Sequence, residues 1–411
     1  MHTNKSDAGV GKGPASNQHL LFLDGLRGLA ALFVTIHHMW LHLWPQAQHV
    51  LPAGLMMLAT GWLGYGHFGV TVFIVLSGFS LALAAAKRNT LTPVDKKSFY
   101  MRRARRILPP YYWALLFSCL LAVTLVAKPT GTHWDVSLPV TIPGLVSHLL
   151  MMQDILYIPQ INHTFWSVAL EWKMYFLFPF IVTGCLNFGP FKTVAACTAL
   201  GYAGVILLHG TPYNNFPIHF VGLFAMGIAA ALIVFSPRSD WQKLSRPSLM
   251  AWIGFASLIV VLAASGTHYL RGIFYTDLFV ALATVIALMQ MSLGRWRLLG
   301  AVLTYRPLIF IGSFSYSLYL IHAPLIQCVW QYLVHPLGVS KNAEFFLLFL
   351  IGVPLILVCA YLFYLACERP FVRSQKQKQV EATATDAQTI GGAPKEMSVA
   401  HSLVYIPAQV E

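Results

Sequence analysis

The chain alternates long apolar stretches with short polar ones, and the apolar stretches exceed what a water-soluble core requires. About 20 consecutive apolar residues cross a bilayer, and such runs fall at 20–44, 55–86, 104–127, 166–186, 191–208, 216–236, 249–265, 272–292, 305–333 and 344–367. This pattern predicts an all-α, polytopic integral membrane protein with about ten transmembrane helices. The polar ends carry no apolar period, so 1–18 is expected to be a flexible cytoplasmic N-terminus and 373–411 a disordered cytoplasmic tail. Between them, 19–372 forms one transmembrane domain.

Composition agrees: 57% of residues are hydrophobic and 10% charged, with a mean hydropathy of +0.64. The net charge of +13 is not spread like that of a nucleic-acid binder. If the N-terminus is cytoplasmic, 22 of the 27 Lys and Arg residues fall on inner segments, against Lys128, Arg271 and Lys341 outside and Arg27 and Lys173 within spans. That is the positive-inside bias, which implies an even number of spans, both termini in the cytoplasm and an inner (plasma) membrane location. No nucleic-acid partner is expected. Six cysteines lie mostly inside spans without C-x-x-C spacing and read as small apolar residues. No small-residue cleavage site interrupts the first span, so a removed signal peptide is not expected.

Chemistry enters with the ionisable groups in lipid, which are costly and therefore mark function. The first span, LLFLDGLRGLAALFVTIHHMWLHLW, carries Asp24, Arg27, His37 and His38. Arg27 and His38 are eleven residues apart, which returns to nearly the same helix face after about 16 Å of rise. One face should therefore hold a permanent cation and a proton-transferring imidazole, with His37 turned aside. In KKSFYMRRARRILPPYYWALL, Arg103 and Arg106 are one turn apart and suit a single phosphate, although attraction to anionic lipid explains part of the cluster.

Further along, the small residues Gly69, Ser77, Gly78 and Ser80 suit either close helix packing or a place beside substrate. The segment 128–163, with His133, His148, Asp154 and His163, reads as a lid or a partly re-entrant stretch. Glu171 lies about 10 Å into the fourth span and His38 about 9 Å from the matching end of the first. Equal depth predicts a carboxylate that orients the imidazole, the alternative being a structural pair with Lys173 or another cation. Asp277, Tyr213, Asn214 and Asn215 are candidates for an acceptor entrance, and His322, among the serines and tyrosines of RPLIFIGSFSYSLYLIHAPLI, is a third ionisable contributor.

In this order, LDGLRGLAALFVTIHH, GVTVFIVLSGF, FYMRRARRILPPYY, TFWSVALEWKMYF, SYSLYLIHAPL and ERPF resemble the motifs of the acyltransferase 3 family of membrane O-acyltransferases. The resemblance covers about residues 20–372. It implies a ten-helix core that moves an acyl group, usually acetyl, from acyl-CoA to a hydroxyl of a glycan, glycolipid or small secondary metabolite. It further implies that Arg27 and His38 are the essential pair, that R-x-x-R is Arg103 with Arg106, and that Glu171 is the motif glutamate. Arg102 with Arg105 also fits the R-x-x-R spacing. Departures are the doubled His37–His38 and Ile74 and Met174 where aromatics are common. Some members append a hydrolase-like domain, for which the roughly 40 residues after the last span are too few.

The expected mechanism places the phosphates of acyl-CoA, the co-substrate, on Arg27, Arg103 and Arg106. His38, oriented by Glu171, then acts as general base or as an acyl carrier. No metal is expected, because His38 has no H-x-x-x-H or E-x-x-H partner. A proton-coupled secondary transporter is the rival reading, against which stands the lack of paired internal repeats.

Overall fold

The structure, a computed structural model, describes residues 20–45, 51–86, 96–156, 160–213, 216–235, 253–254, 257 and 273–372. The expected flexible ends, nearly all of the expected span 249–265, and Asn214 and Asn215 lie outside these residues. Among the described residues the chain is helical with no strand. The elements are α1 (Leu21–Leu43), α2 (Gly54–Thr60), α3 (His67–Ala86), α4 (Lys96–Val123), α5 (Ile142–Leu149), α6 (Trp166–Phe188) and α7 (Pro190–Leu208). They continue as α8 (Phe220–Phe235), α9 (Ile273–Ser292), α10 (Arg297–Leu303), α11 (Arg306–Ser313), α12 (Ser315–Val329), α13 (Lys341–Leu347) and α14 (Val353–Phe363).

Among the described residues, six stretches are long and apolar enough to cross a membrane: Gly54–Leu83, Lys96–Val123, Trp166–Phe188, Pro190–Leu208, Tyr275–Ser292 and Lys341–Val372. A bent pair, Arg306–Ser313 with Ser315–Leu337, makes a seventh if counted as one span. By length and hydropathy the described residues thus give six or seven spans, whereas the sequence pattern of the whole chain gives ten. α1 is not among them, because Asp24, Arg27 and three histidines lower its hydropathy. α8, at 16 residues, is shorter than a full span. It is apolar on every side and buried on nearly every side, and α3, α7 and α9 supply that cover. α7 is the opposite case, with Phe191, Leu200, Ile206 and Leu207 exposed on a surface suited to lipid.

The expected continuous helix 305–333 is instead broken at Phe314, where α11 and α12 meet at 77°. Irregular backbone at membrane depth is tolerated where protein or a cavity covers it. Here Phe314 is buried and Ser315 and Tyr316 face a cavity.

Small residues let these helices touch at the backbone. A Cβ on Gly78 would meet the carbonyl of Phe224, and one on Gly227 the carbonyl of Val75, so α3 and α8 exchange equivalent contacts. α1 meets α11 likewise: Gly28 faces the carbonyl of Leu308, and Gly312 that of Asp24. Neither backbone can yield without moving a helix that carries site residues. Gly312→Val is therefore expected to lower the Tm of detergent-solubilised protein by several degrees, the overpacking costing about 1–3 kcal/mol. Gly300→Ala, whose Cβ would meet nothing within 4 Å, is the control expected to leave Tm unchanged.

Candidate active site

Five helices enclose a cavity of about 230 Å³ that we call the arginine chamber. α1 contributes Arg27, and α3 contributes Phe73, Ser77 and Ser80 from one helical face. α4 contributes Arg103 and Arg106, α6 contributes Glu171 and Tyr175, and α12 contributes Ser315 and Tyr316. Arg27 is fixed in place: its Nη1 donates to Asp24 Oδ1 (2.9 Å) and its Nη2 to Ser80 Oγ (2.7 Å). Arg103 Nε is buried without a hydrogen-bond partner, a donor that suits an anion brought in from outside. Three guanidiniums face one carboxylate here. Arg102 and Arg105 do not line the chamber, so of the two R-x-x-R registers only Arg103 with Arg106 faces it. The small residues of α3 divide their work, with Gly78 packing against α8 and Ser77 and Ser80 lining the chamber.

A second cavity of about 270 Å³, the histidine chamber, is lined by His37, His38, His67, His133 and His163. Val70 and Tyr319 line both cavities and form the partition between them. Tyr319 is fastened by its hydroxyl, which lies 2.5 Å from Ser167 Oγ and donates to the carbonyl of Thr164 (3.2 Å). On α1, Arg27 lines one chamber and His38 the adjoining one. His37 is not turned aside as expected: it lines the histidine chamber beside His38, with its Nδ1 taken up by the carbonyl of Leu63 (2.7 Å).

The hydrogen bonds assign the tautomer of His38. His322 Nδ1 lies 2.8 Å from the carbonyl of Tyr319, and His38 Nδ1 lies 2.9 Å from the carbonyl of Val34. Carbonyl oxygens only accept, so both Nδ1 atoms carry protons. His322 Nε2 is then a bare acceptor, 3.2 Å from His38 Nδ1. His38 Nδ1–H is shared between two acceptors, and its Nε2 keeps a free lone pair, as a base or nucleophile requires.

The expected partnership of Glu171 with His38 is not present. Glu171 Oε1 accepts from Ser77 Oγ (2.7 Å) and Tyr175 OH (2.6 Å) in the arginine chamber. Equal depth does not make a contact: Thr164 and Trp166, at the start of α6, line the histidine chamber, whereas Ser167, Val168, Glu171 and Tyr175 line the arginine chamber. Glu171, further along α6, therefore lies on the other side of Tyr319 from His38. The alternative pairing with Lys173 is absent too, since Lys173 Nζ donates to Asp154 Oδ1 (2.6 Å) and the carbonyl of Met151 (2.7 Å). The group that steadies His38 is His322.

The described parts of the long connection, 128–156 and 160–163, bring His133, Val136 and His163 to the wall of the histidine chamber. Tyr111 OH donates to the carbonyl of His148 and Tyr112 OH to that of Leu149, both at 2.9 Å. Asn162 Nδ2 donates to Ser118 Oγ (3.1 Å) and the carbonyl of Leu320 (3.2 Å). These ties bring His163 to 5.4 Å and His133 to 6.4 Å from His38, ring to ring. Burial pushes His133 down to about 4 and His163 well below the usual imidazole value, so both are neutral at physiological pH. Among the described residues no group of three or more His, Cys, Asp or Glu is arranged to hold a metal ion. Sequence reasoning missed His67 altogether. Its only signal was its place at the start of the α3 run.

Comparison with known proteins supports the family resemblance read from the motifs. The chain is 28% identical over 342 residues to O-acetyltransferase OatA of Staphylococcus aureus, covering 78% of this chain and 52% of that protein. It is 27% identical over 329 residues to the putative peptidoglycan O-acetyltransferase YrhL of Bacillus subtilis, covering 74% and 48%. It thus spans about half the length of these two relatives. Acyltransferase MdmB of Streptomyces mycarofaciens is 27% identical over 408 residues, covering 91% of this chain and 96% of that protein. No solved structure matches. Residues 20–365 match a family described as an acyltransferase domain. Because that match takes in every helix lining either chamber, the chain belongs to the acyltransferase 3 family.

Proposed function

We propose that this protein is a membrane O-acyltransferase. It takes an acyl group, acetyl in the simplest case, from acyl-CoA held in the arginine chamber and delivers it to an acceptor hydroxyl in the histidine chamber. One observation carries this reading: the chamber with three guanidiniums and the chamber with a prepared imidazole share the walls Val70 and Tyr319. Arg27, Arg103 and Arg106 meet the phosphates, which guanidinium forks bind bidentately. The thioester passes Tyr319 toward His38 Nε2, which serves either as general base or as acyl carrier.

The distribution of Lys and Arg supports a topology with Arg103 and Arg106 at the cytoplasmic end, where acyl-CoA is made available. On this topology both termini are cytoplasmic, and the core is the expected bundle of ten helices in the inner membrane. The acceptor is a hydroxyl-bearing glycan, glycolipid or metabolite. The peptidoglycan named for the Bacillus relative belongs to the first of these classes.

Purified protein in nanodiscs, given acetyl-labelled CoA and extracts of the host's glycans, is expected to release CoA and label a hydroxyl. A proton-coupled transporter would move a solute and release no CoA. Glu171 has a different part from the one its motif suggested. Its carboxylate balances the guanidiniums, so Glu171→Gln is expected to change KM for acyl-CoA by about tenfold while kcat stays within about threefold. A collapse of kcat at constant KM would return Glu171 to the chemical step.

A further inference from the structure

The histidine chamber contains a second imidazole prepared for proton transfer, backed by a buried carboxylate. Asp277, near the start of α9, is fully buried. Its Oδ2 accepts from His67 Nε2 and His219 Nε2, each at 3.0 Å, and its Oδ1 accepts from Thr71 Oγ1 at 2.5 Å. The two histidines differ in access: His219 is 1% exposed, whereas 26% of the His67 side chain is exposed and lines the histidine chamber. The His67 ring stacks on Trp166 at 6.1 Å and 11°, which fixes its plane. A carboxylate only accepts, so the His67 proton sits on Nε2 and its Nδ1 is left with a free lone pair. An imidazole held by a carboxylate through one nitrogen and bare at the other is the arrangement of a general base.

A second base has work to do if His38 carries the acyl group. Once Nε2 of His38 is acylated, its Nδ1 is already protonated and tied to Val34 and His322, so that ring cannot deprotonate the acceptor. We propose that His67, held by Asp277 as its positioning residue, is the catalytic base that takes the acceptor's proton while His38 carries the acyl group. The proposal rests on the acyl-transfer reading above. In the first step His38 Nε2 attacks the thioester carbonyl, the N–C bond forms and the C–S bond breaks. CoA departs as thiolate and takes a proton from solvent. In the second step the acceptor oxygen attacks the acyl carbon, the O–C bond forms and the C–N bond breaks, returning the electron pair to His38 Nε2. The hydroxyl proton passes to His67 Nδ1, rests there against Asp277, and leaves to solvent.

The test uses the full-length protein in nanodiscs with acetyl-labelled CoA alone, water serving as the hydroxyl acceptor. His67→Gln preserves a donor to Asp277, and so the link between α3 and α9, but removes the base. It is expected to release one equivalent of CoA at the wild-type rate and then hold the acetyl label, with discharge slowed about 100-fold or more. Discharge at the wild-type rate overturns the proposal, as does loss of the initial CoA release together with discharge. His38→Ala is expected to take up no label, and label uptake by that variant also overturns it. Wild-type protein that releases no CoA contradicts the acyl-transfer reading itself, and the His67 assignment with it.

Discussion

His38→Ala is expected to abolish acyl transfer, lowering turnover by about 10³-fold or more, while binding of acyl-CoA changes by less than about twofold. The asymmetry follows from the two chambers. His38 lines only the histidine chamber, and the guanidiniums line only the arginine chamber. Removing the imbalance-free Nε2 lone pair eliminates the chemical step and leaves the phosphate contacts intact. The readouts are CoA release under saturating donor and equilibrium binding of a non-reactive acyl-CoA thioether. His37→Ala is the informative comparison. His37 is committed through Nδ1 to the carbonyl of Leu63 and shares the chamber wall, so its loss is expected to perturb packing and retain turnover within about tenfold. If His37→Ala is the inactive variant, the roles of these neighbours on α1 are exchanged and the tautomer argument for His38 fails.

Arg103→Ala combined with Arg106→Ala is expected to have the opposite signature. Charge-assisted hydrogen bonds contribute about 1.5–3 kcal/mol each. Arg106 is exposed and partly screened, so the pair together is expected to weaken binding of acyl-CoA by about 100-fold. Turnover at saturating donor should fall much less. The salt dependence of donor binding should flatten in the double variant, because the ions it displaces were held by those two cations. Attraction to anionic lipid would produce another pattern: donor affinity unchanged and only vesicle association reduced. Arg102→Ala with Arg105→Ala is the matched control, since neither residue lines the chamber.

Features confined to one helix were legible in the sequence. The eleven-residue spacing of Arg27 and His38 put both on one face of α1 whatever surrounds it, because helical period is a local property. The one-turn spacing of Arg103 and Arg106 was readable for the same reason, and the chamber then chose it over the equivalent Arg102–Arg105 spacing. Relations between helices were not legible. The placement of Glu171 depended on which neighbours α6 packs against along its length, which no periodicity in 164–180 reports. The break at Phe314 has no proline at the bend; Pro307 and Pro324 lie several residues to either side. The span count suffers from the same limit in another form. α8 is an interior helix covered by its neighbours, and α1 carries so many polar groups that hydropathy alone does not mark it as a span. His67 and Asp277 are 210 residues apart, and only the packing of α3 against α9 makes them a pair.

On the proposed function, a donor anchored by guanidiniums in one chamber reacts at an imidazole in the next, past the wall of Val70 and Tyr319. A density map of the protein in nanodiscs with the non-hydrolysable thioether analogue of acetyl-CoA tests it most directly. The predicted map shows phosphates against Arg27, Arg103 and Arg106, the pantetheine arm passing Tyr319, and the carbon that replaces the thioester carbonyl about 3–3.5 Å from His38 Nε2. Phosphates bound away from those three arginines, or an arm that ends in the arginine chamber with Tyr319 closed above it, would contradict it.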